Sequence, residues 1–304
     1  MAQAAPAGSF ANRTIIVTDA AGSIGRPLCL AIAQAGANVV VNDIGCSPDG
    51  KGSSKSPAEQ LVHEIASQGF SVVPDTHNVA TEVDKVVETA ITKFGSVDVI
   101  MNNAGIITYG PIAAQDPGTV RKVFEANALG AIALCHYAWL YMKNQQYRHI
   151  INFTSESVFG MPYSTAYALS RGALLGVTKS LANEGRQDNI LVNAIGPSSH
   201  SRMVADVIKD LLEEQQANFK NAFTGESNVP VILALASEDL KHSGQIWSSG
   251  NYSMSRIILE TVKEVKPLVS MDECLSVMDE LLDKDRKWAE PQNMQEFWDF
   301  KAQA

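Results

Sequence analysis

The sequence predicts an α/β fold with a doubly wound parallel sheet, in a single domain over residues 1–255 that is followed by a C-terminal helical extension over residues 256–304. A chain of 304 residues that is 45% hydrophobic and 19% charged can bury a core of this size. Short β-branched runs alternate with segments of helix length, as in parallel sheets with crossover helices. A glycine-bearing turn separates Ile15 to Val17 from an apolar helix pattern that begins near Leu28.

Seven apolar runs are predicted as strands. They are Ile15 to Val17, Val39 to Asn42, Ser71 to Pro74, Val97 to Met101, His149 to Phe153, Ile190 to Ala194 and, more weakly, Gly244 to Trp247. From about Arg256 the strand pattern stops, and Met271 to Leu282 has the apolar spacing of an amphipathic helix. We expect this extension to pack onto the main body and not to form a second catalytic unit.

Charge and cysteine usage exclude several classes of protein. The net charge of −9 argues against binding to nucleic acid or an anionic membrane, because phosphate-rich partners favour an excess of Lys and Arg. Four cysteines without a C-x-x-C pair and six histidines without ligand spacing predict no metal site. Neither a secretory signal nor a membrane span is predicted, and Lys301-Ala-Gln-Ala304 is not a serine-lysine-leucine-type peroxisomal address. The expected location is intracellular and cytoplasmic.

The turn after the first strand reads Thr18-Asp19-Ala20-Ala21-Gly22-Ser23-Ile24-Gly25. A strand that enters a helix N-terminus through a glycine turn is typical of pyrophosphate binding, because free N–H groups and the helix dipole attract anions. Asp43 ends the second strand 21 positions after Gly22, where a carboxylate can bind ribose hydroxyls and repel a 2′-phosphate. This favours NAD over NADP, and the alternative is that Asp43 only caps its own loop.

Further motifs follow in a fixed order: Asn102-Asn103-Ala104-Gly105, a helix asparagine at Asn127, and Tyr167-Ala-Leu-Ser-Arg171. With them the chain resembles the short-chain dehydrogenases/reductases, whose motifs are T-G-x-x-x-G-x-G, N-N-A-G and Y-x-x-x-K. More narrowly, Val41 to Gly45 and Ser201 to Met203 are similar to the (3R)-hydroxyacyl-CoA dehydrogenase part of the type 2 peroxisomal multifunctional enzymes. The resemblance covers nearly the whole chain and implies a Rossmann-like fold.

The resemblance implies a role for each matching residue. Tyr167 is implied as the acid/base, Arg171 as the supporting cation, Thr154 as the partner of the substrate carbonyl and Asn127 as the holder of a relay water. The residues implied to bind NAD are Thr18, Asp19, Gly22, Ser23, Ile24, Gly25, Asp43, Asn78, Val79, Asn103, Ala104, Gly105 and Pro197. The resemblance also implies a dimer, either a homodimer or a heterodimer with a homologue.

The cation of the tyrosine motif departs from the family. Tyr167 and Arg171 are four residues apart, so they share one face of a helix. A free phenol has a pKa near 10, so proton transfer at neutral pH needs a neighbouring positive charge. Arg171 supplies that charge, but its guanidinium is bulkier than the family's lysine ammonium. The alternative is a Tyr-Arg pair that stacks at the surface.

The glycine loop departs further, because Asp19 and Ser23 stand where the family has glycine. Aspartate tolerates positive φ better than most residues, so the turn can form. A carboxylate about 5 Å from a phosphate charge would cost on the order of 3 kcal/mol at an effective dielectric near 20. We expect NAD binding to be weakened or lost unless Asp19 points into solvent or pairs with Arg26.

Two loops are expected to border the site. The Gly-, Ser- and Lys-rich segment Gly45 to Pro57 is predicted to be a mobile surface loop, with some prospect of bordering the nucleotide. Residues 198–228 are predicted to form a lid. Glu156, close to Thr154, lies outside the family pattern and is either a solvated loop acid or part of altered chemistry.

Three functions remain open from the sequence. The first is NAD-dependent interconversion of a secondary alcohol and a ketone on a small hydrophobic or acyl-type substrate. The second is a redirected non-redox enzyme, an isomerase, cyclase or dehydratase, on the same scaffold. The third is a non-catalytic partner in a dimer with an active homologue. Only the first requires the nucleotide for its chemistry.

Overall fold

A computed structural model describes residues 6, 8–145, 147–204, 208–209, 212–262, 271–282 and 287–302. The chain divides into two compact units, Met1–Arg256 and Ile257–Ala304. Parts of the expected lid (205–207, 210 and 211) and of the expected extension (263–270, 283–286, 303 and 304) lie outside the described residues.

The first unit is built on a sheet of eight strands in the order β3-β2-β1-β4-β5-β6-β7-β8. The strands are β1 Thr14–Thr18, β2 Asn38–Asn42, β3 Val72–Asp75, β4 Val99–Asn102, β5 His149–Phe153, β6 Leu191–Pro197, β7 Ile246–Gly250 and β8 Ser253–Ile257. Strands β1 to β7 pair in parallel. The predicted doubly wound sheet and its seven strands are confirmed, whereas the edge strand β8 was not predicted.

Helices cover the two faces of the sheet. They are α1 Gly25–Gln34, α2 Ser56–Ser67, α3 Val83–Phe94, α4 Pro117–Phe124, α5 Gly130–Met142, α6 Thr165–Gly185, α7 Glu213–Ala222 and α8 Val229–Leu235. Alternate residues of a strand point to opposite faces. In β1, Ile15 and Val17 pack with side chains of α1 and α8, whereas Ile16 packs with side chains of α3 and α5.

This topology brings the functional motifs to one edge. The chain leaves β1 on one side of the sheet and β4 on the other, so a crevice opens between their carboxyl ends. The segments after β1, β2, β4, β5 and β6 all start at this edge. Parallel strands therefore bring residues that are distant in the sequence together around one crevice.

The helical stretch Pro117–Met142 joins α4 to α5 through a π-helical turn at Glu125–Leu129. Among the described residues it is the one helix long and apolar enough to cross a membrane by length and composition, and 44% of its apolar window is buried. It contacts α3 and α6. Because a core helix passes the same test, the absence of a membrane span stays a prediction.

The second unit contains two helices, α9 Met271–Leu281 and α10 Met294–Ala302, and a two-stranded antiparallel sheet. Its strands are β9 Thr261–Val262 and β10 Trp288–Ala289. The expectation that strands stop near Arg256 is wrong, because two-residue strands are too short to show an alternating pattern in the sequence. The packing of this unit onto the main body stays a prediction.

Candidate active site

A cavity of about 620 Å³ lies at the carboxyl edge of the sheet. Ten of the predicted site residues line it: Asp19, Gly22, Ser23, Ile24, Asn103, Gly105, Thr154, Tyr167, Arg171 and Pro197. Thr18, Gly25, Asp43, Asn78, Val79, Ala104 and Asn127 do not line it. One cavity therefore joins the glycine loop to the tyrosine helix, as the sequence motifs predict.

The glycine loop forms its turn with an aspartate in the position of a glycine. Asp19 has φ of +50°, in the left-handed region that aspartate tolerates. Its carbonyl accepts a hydrogen bond from the N–H of Gly22 (3.1 Å). A Cβ on Gly25 would lie 2.3 Å from the same carbonyl, so only glycine fits there. The loop is thus intact despite the substitution.

The Asp19 carboxyl group lies over Gly22, where a Cβ would approach Asp19 Oδ2 to 2.7 Å. Its carboxyl oxygens make no hydrogen bond with any described residue. Burial raises the pKa of this carboxyl to about 8, the nearby carboxylate of Asp43 adds to the rise, and the charges of Arg202 and Arg171 oppose it. Asp19 is therefore mostly neutral at pH 7.

Two expectations about Asp19 are corrected by this geometry. Its side chain does not pair with Arg26, because Arg26 forms a two-bond ion pair with Glu64 (2.5 and 2.8 Å). It is partly exposed and lines the cavity, so it is neither ion-paired nor fully in bulk solvent. The full repulsion of an ionised carboxylate, expected from the sequence, does not apply at neutral pH.

The start of α1 keeps free donors for an anion. Within the described part of the chain, the N–H groups of Ser23 and Ile24 make no hydrogen bond, whereas the N–H of Arg26 already bonds to the Gly22 carbonyl (3.0 Å). Unpaired N–H groups at a helix N-terminus are suited to phosphate oxygens. The loop therefore retains the donors that a pyrophosphate needs.

The loop after β4 is fastened to the glycine loop. Thr18 Oγ1 accepts from the N–H of Ala104 (2.8 Å), and Asn103 Nδ2 donates to the carbonyls of Thr18 (3.0 Å) and Asp19 (3.1 Å). The buried side chains of Thr18 and Asn103 thus set the spacing between the two loops. Neither side chain needs to touch a nucleotide to matter for the site.

Asp43 directly follows β2 and is 8% exposed. Oδ2 accepts from the N–H of Ala21 (2.9 Å) and Oδ1 from the N–H of Gly45 (2.7 Å). The carboxylate therefore holds the glycine loop and also caps its own loop, which was the alternative to ribose binding. Each carboxylate oxygen keeps a lone pair that can accept a further hydrogen bond. Asn78 caps the next turn through the N–H of Ala80 (2.9 Å); adenine contacts by Asn78 and Val79 stay a prediction.

Arg171 is buried beneath the cavity, 3% exposed. Nη1 donates to the carbonyl of Phe153 (2.7 Å), and the guanidinium carbon lies 5.3 Å from the ring centroid of Tyr167. Nε is buried and makes no hydrogen bond with the described residues. The surface-pair alternative is therefore wrong for Arg171, whose charge stands behind the tyrosine ring.

Two neighbouring hydroxyl groups, those of Thr154 and Ser155, lie where one was expected to donate to the substrate carbonyl. Thr154 is buried, and its Oγ1 donates to the carbonyl of Arg171 (2.8 Å), which uses its only hydrogen. Ser155 also lines the cavity, and its Oγ accepts from the N–H of Ser157 (3.1 Å), which leaves its own hydrogen available. The sequence reasoning missed Ser155, although it follows Thr154 directly.

Asn127 lies in the π-helical turn, fully buried. Its Oδ1 accepts from the N–H of Ile106 (2.8 Å), and its Nδ2 donates to the Ile106 carbonyl (2.9 Å) and to Ser170 Oγ (2.9 Å). π-turns inside helices often occur at functional sites. Here the turn directs the Asn127 side-chain amide, which bonds to both the loop after β4 and α6. The relay role of Asn127 stays a prediction.

Residues Gly45 to Pro57, which we name the strap, contact the cavity at both ends, whereas residues 51–56 are exposed, as the composition predicts. The Pro48 carbonyl accepts from the N–H of Ile107 (2.8 Å), and Lys122 Nζ donates to the Gly50 carbonyl (2.7 Å). Cys46, Ser47, Pro48 and Pro57 line the cavity. The strap therefore borders the nucleotide side of the site.

The lid and Glu156 close the other side. Arg202 Nη1 donates to the Cys46 carbonyl of the strap (3.5 Å), and Tyr109 Oη donates to the Met203 carbonyl (3.2 Å). Glu156 is exposed, as a solvated loop acid would be, and it accepts hydrogen bonds from Ser198 (2.8 Å) and Ser248 (2.5 Å). In the described residues no group of three or more His, Cys, Asp or Glu side chains is placed to hold a metal.

Comparison with known proteins agrees with this geometry. Residues 13–211 match the short chain dehydrogenase family. The chain is 35% identical over 240 residues to the peroxisomal hydratase-dehydrogenase-epimerase of Saccharomyces cerevisiae, covering 79% of this chain and 26% of the yeast protein. It is 33% identical over 254 residues to peroxisomal multifunctional enzyme A of Dictyostelium discoideum, covering 83% and 56%. A crystal structure of a short chain dehydrogenase from Mycobacterium avium superposes with a TM-score of 0.77 at 28% identity, covering 90% of this chain and 96% of that one.

The fold is a Rossmann-like sheet whose candidate site is the cavity at its carboxyl edge. The chain belongs to the short chain dehydrogenase family, whose members generally bind NAD or NADP. It spans about a quarter of the yeast relative and just over half of the Dictyostelium one. Those two proteins are named as peroxisomal, and a cytoplasmic location for this chain stays a prediction.

Proposed function

We propose that this oxidoreductase interconverts a secondary alcohol and a ketone on a hydrophobic or acyl-type substrate, with NAD as its cofactor. The observation that carries the proposal is the single cavity in which the Tyr167 phenol, the buried Arg171 charge and the Ser155 hydroxyl stand beside the glycine loop. The acyl-type substrate is supported by a Staphylococcus epidermidis relative, 32% identical over 211 residues, that is named as a 3-oxoacyl-[acyl-carrier-protein] reductase.

The residues present fit a dinucleotide. The unpaired N–H groups of Ser23 and Ile24 would hold the pyrophosphate, the Arg171 guanidinium in the cavity wall would donate to a ribose hydroxyl, and Asp43 would accept from the adenosine ribose. The negative charge of Asp43 would repel a 2′-phosphate, which supports NAD over NADP. The bound cofactor supplies or accepts the hydride.

The proton moves at the Tyr167 oxygen. In ketone reduction the phenol donates its proton to the developing alkoxide, and in alcohol oxidation the phenolate removes the hydroxyl proton. The Arg171 guanidinium, 5.3 Å from the tyrosine ring centroid, stabilises the phenolate electrostatically. Ser155 takes the place of Thr154 as the donor to the substrate oxygen, because the Thr154 hydrogen is engaged by the α6 backbone.

Apolar side chains support the class of substrate. Ile107, Tyr109, Met161, Met203 and Phe219 line the same cavity as Tyr167. Apolar lining with a few convergent polar groups is typical of small-molecule sites. A hydrophobic chain or ring would bury against these residues while its carbonyl meets Ser155 and Tyr167.

The test is NADH oxidation by the purified full chain with a panel of 3-oxoacyl thioesters and bulky ketones. We expect turnover with at least one panel member and a loss of about 10²- to 10⁴-fold in Tyr167→Phe. Tyr252→Phe, which changes a tyrosine that is 68% exposed just before β8, is the matched control. NADH binding without any oxidation across the panel would favour the redirected non-redox enzyme, and turnover that survives in Tyr167→Phe would remove the tyrosine from the mechanism.

A dimer is the assembly we propose. Tyr137 (47% exposed), Leu140 (70%) and Tyr141 (46%) give α5 an apolar surface, and exposed apolar patches of this kind mark association sites. Light scattering coupled to size exclusion should give twice the chain mass, and Leu140→Glu should give the monomer. A monomeric wild-type protein at micromolar concentration would contradict the proposal.

A further inference from the structure

The glycine loop holds a carboxyl group at the position where the proposed dinucleotide must bring its pyrophosphate. The backbone of Asp19 is fixed on both sides, because its carbonyl accepts from Gly22 N–H and Asn103 Nδ2 and the following N–H, of Ala20, donates to the Asn42 carbonyl (3.1 Å). Only the two side-chain torsions remain free. The carboxyl group can therefore move only by rotation about these two torsions.

Charged and titratable groups face Asp19 from four elements. Asp43 at the end of β2 is committed to the N–H groups of Ala21 and Gly45. Cys46 of the strap is half-buried, Arg171 of α6 is buried, and Arg202 of the lid is exposed. The two arginines lower the pKa of the Asp19 carboxyl, but burial and Asp43 outweigh them and hold it at about 8.

A pyrophosphate would add negative charge beside this carboxyl. An ionised carboxylate about 5 Å from a phosphate charge is repelled strongly enough to weaken binding by roughly a hundredfold. A neutral carboxyl group is not repelled, and its O–H can donate a hydrogen bond to a phosphate oxygen. The protonated form is therefore the one compatible with the nucleotide.

We propose that dinucleotide binding requires a protonated Asp19, whose carboxyl O–H donates to the pyrophosphate in place of the missing glycine contact, so that binding takes up a proton when the pH is high. The inference rests on the proposed function, because it assumes that NAD binds. Asp19 would then set the affinity for the cofactor according to pH, which the family's glycine cannot do because it has no side chain.

The test is a fluorescence titration of NADH with the purified full chain between pH 6.5 and pH 9. With a carboxyl that titrates near pH 8, we expect the dissociation constant of the wild type to rise about tenfold over this range. Asp19→Asn keeps the shape and a donor but cannot ionise, so its affinity should change by less than about twofold. Calorimetry in buffers of different ionisation enthalpy should show uptake of close to one proton per site at pH 9.

Two further variants make the result decisive. Asp19→Gly restores the family residue and should also bind NADH independently of pH, and it replaces Asp19→Asn if that variant does not fold. Cys46→Ser removes the other titratable group beside Asp19; whatever its affinity, its dissociation constant should change with pH as that of the wild type does. A flat wild-type profile, or a slope that persists in Asp19→Asn or vanishes in Cys46→Ser, would overturn the inference while leaving the proposed function standing. Failure of every variant to bind NADH at pH 6.5 would overturn both.

Discussion

The guanidinium of Arg171 fills the space in front of Gly105: a Cβ placed on Gly105 would lie 1.8 Å from Arg171 Nη2. The glycine after the N-N-A sequence therefore makes room for the Arg171 guanidinium. Arginine in place of the family's lysine makes this position tighter, because the planar guanidinium is bulkier than an ammonium.

Gly105→Ala should displace Arg171 and lower stability by about 1–3 kcal/mol, with weaker NADH binding. Urea unfolding and the NADH titration measure the two effects. Gly110→Ala, in the same loop with nothing within 4 Å of the added methyl group, is the matched control and should change stability by less than about 0.5 kcal/mol. Equal stability of the two variants would show that Arg171 can move aside freely.

Ser155→Ala and Thr154→Val should have opposite signatures. Loss of the Ser155 hydroxyl removes a donor to the substrate oxygen and should lower kcat by about 10²-fold or more. Loss of the Thr154 hydroxyl leaves the Arg171 carbonyl without its 2.8 Å partner and should lower stability by about 1–3 kcal/mol. Steady-state kinetics and urea unfolding of both variants decide the assignment. A larger loss of kcat in Thr154→Val would return the role to Thr154.

Asn127→Ala should be strongly destabilising. It removes three hydrogen bonds from a fully buried site. The backbone N–H and the backbone carbonyl of Ile106 both lose their Asn127 partner. The expected loss is about 2–5 kcal/mol, read from urea unfolding at neutral pH. Asn144→Ala, which removes one bond from an exposed amide, is the control. A loss of turnover with unchanged stability would instead identify Asn127 as a relay residue only.

Acid should unfold this protein partly through His149. Burial lowers the pKa of His149 to about 4, from an ordinary value of 6.5. The folded state binds this proton less tightly than the unfolded state, so stability is lost as pH falls from about 6.5 to about 4, by roughly 3 kcal/mol. His149→Phe should flatten this part of the stability curve, and exposed His63→Gln should not. An unchanged slope in His149→Phe would exclude the histidine as the cause.

Much of the fold could be predicted from local patterns. Strands such as His149–Phe153 are short apolar runs buried on both faces, and that burial requires the composition seen in the sequence. Thr261–Val262 pairs with Trp288–Ala289, and nothing local marks such a contact. Edge strand β8 was missed for a related reason: Ser253, Met254, Ser255 and Arg256 are exposed and carry no apolar run.

The sequence predicts which residues lie in the site, but not the direction of their hydrogen bonds or their ionisation. Motif order brought Asp19, Gly105 and Tyr167 to one cavity. Hydrogen-bond direction, which decides between Thr154 and Ser155, depends on where the Arg171 carbonyl lies in three dimensions. The ionisation of Asp19 depends likewise on burial and on Asp43, which no spacing in the chain reveals.

The central claim is that the cavity binds NAD in spite of Asp19. The most direct measurement is a fluorescence titration of the purified full chain at pH 6.5 with NADH and, separately, NADPH. We predict saturable NADH binding that is tighter than NADPH binding, because the Asp43 carboxylate would repel the 2′-phosphate of NADPH. No binding of NADH up to millimolar concentration, or tighter binding of NADPH, would contradict it.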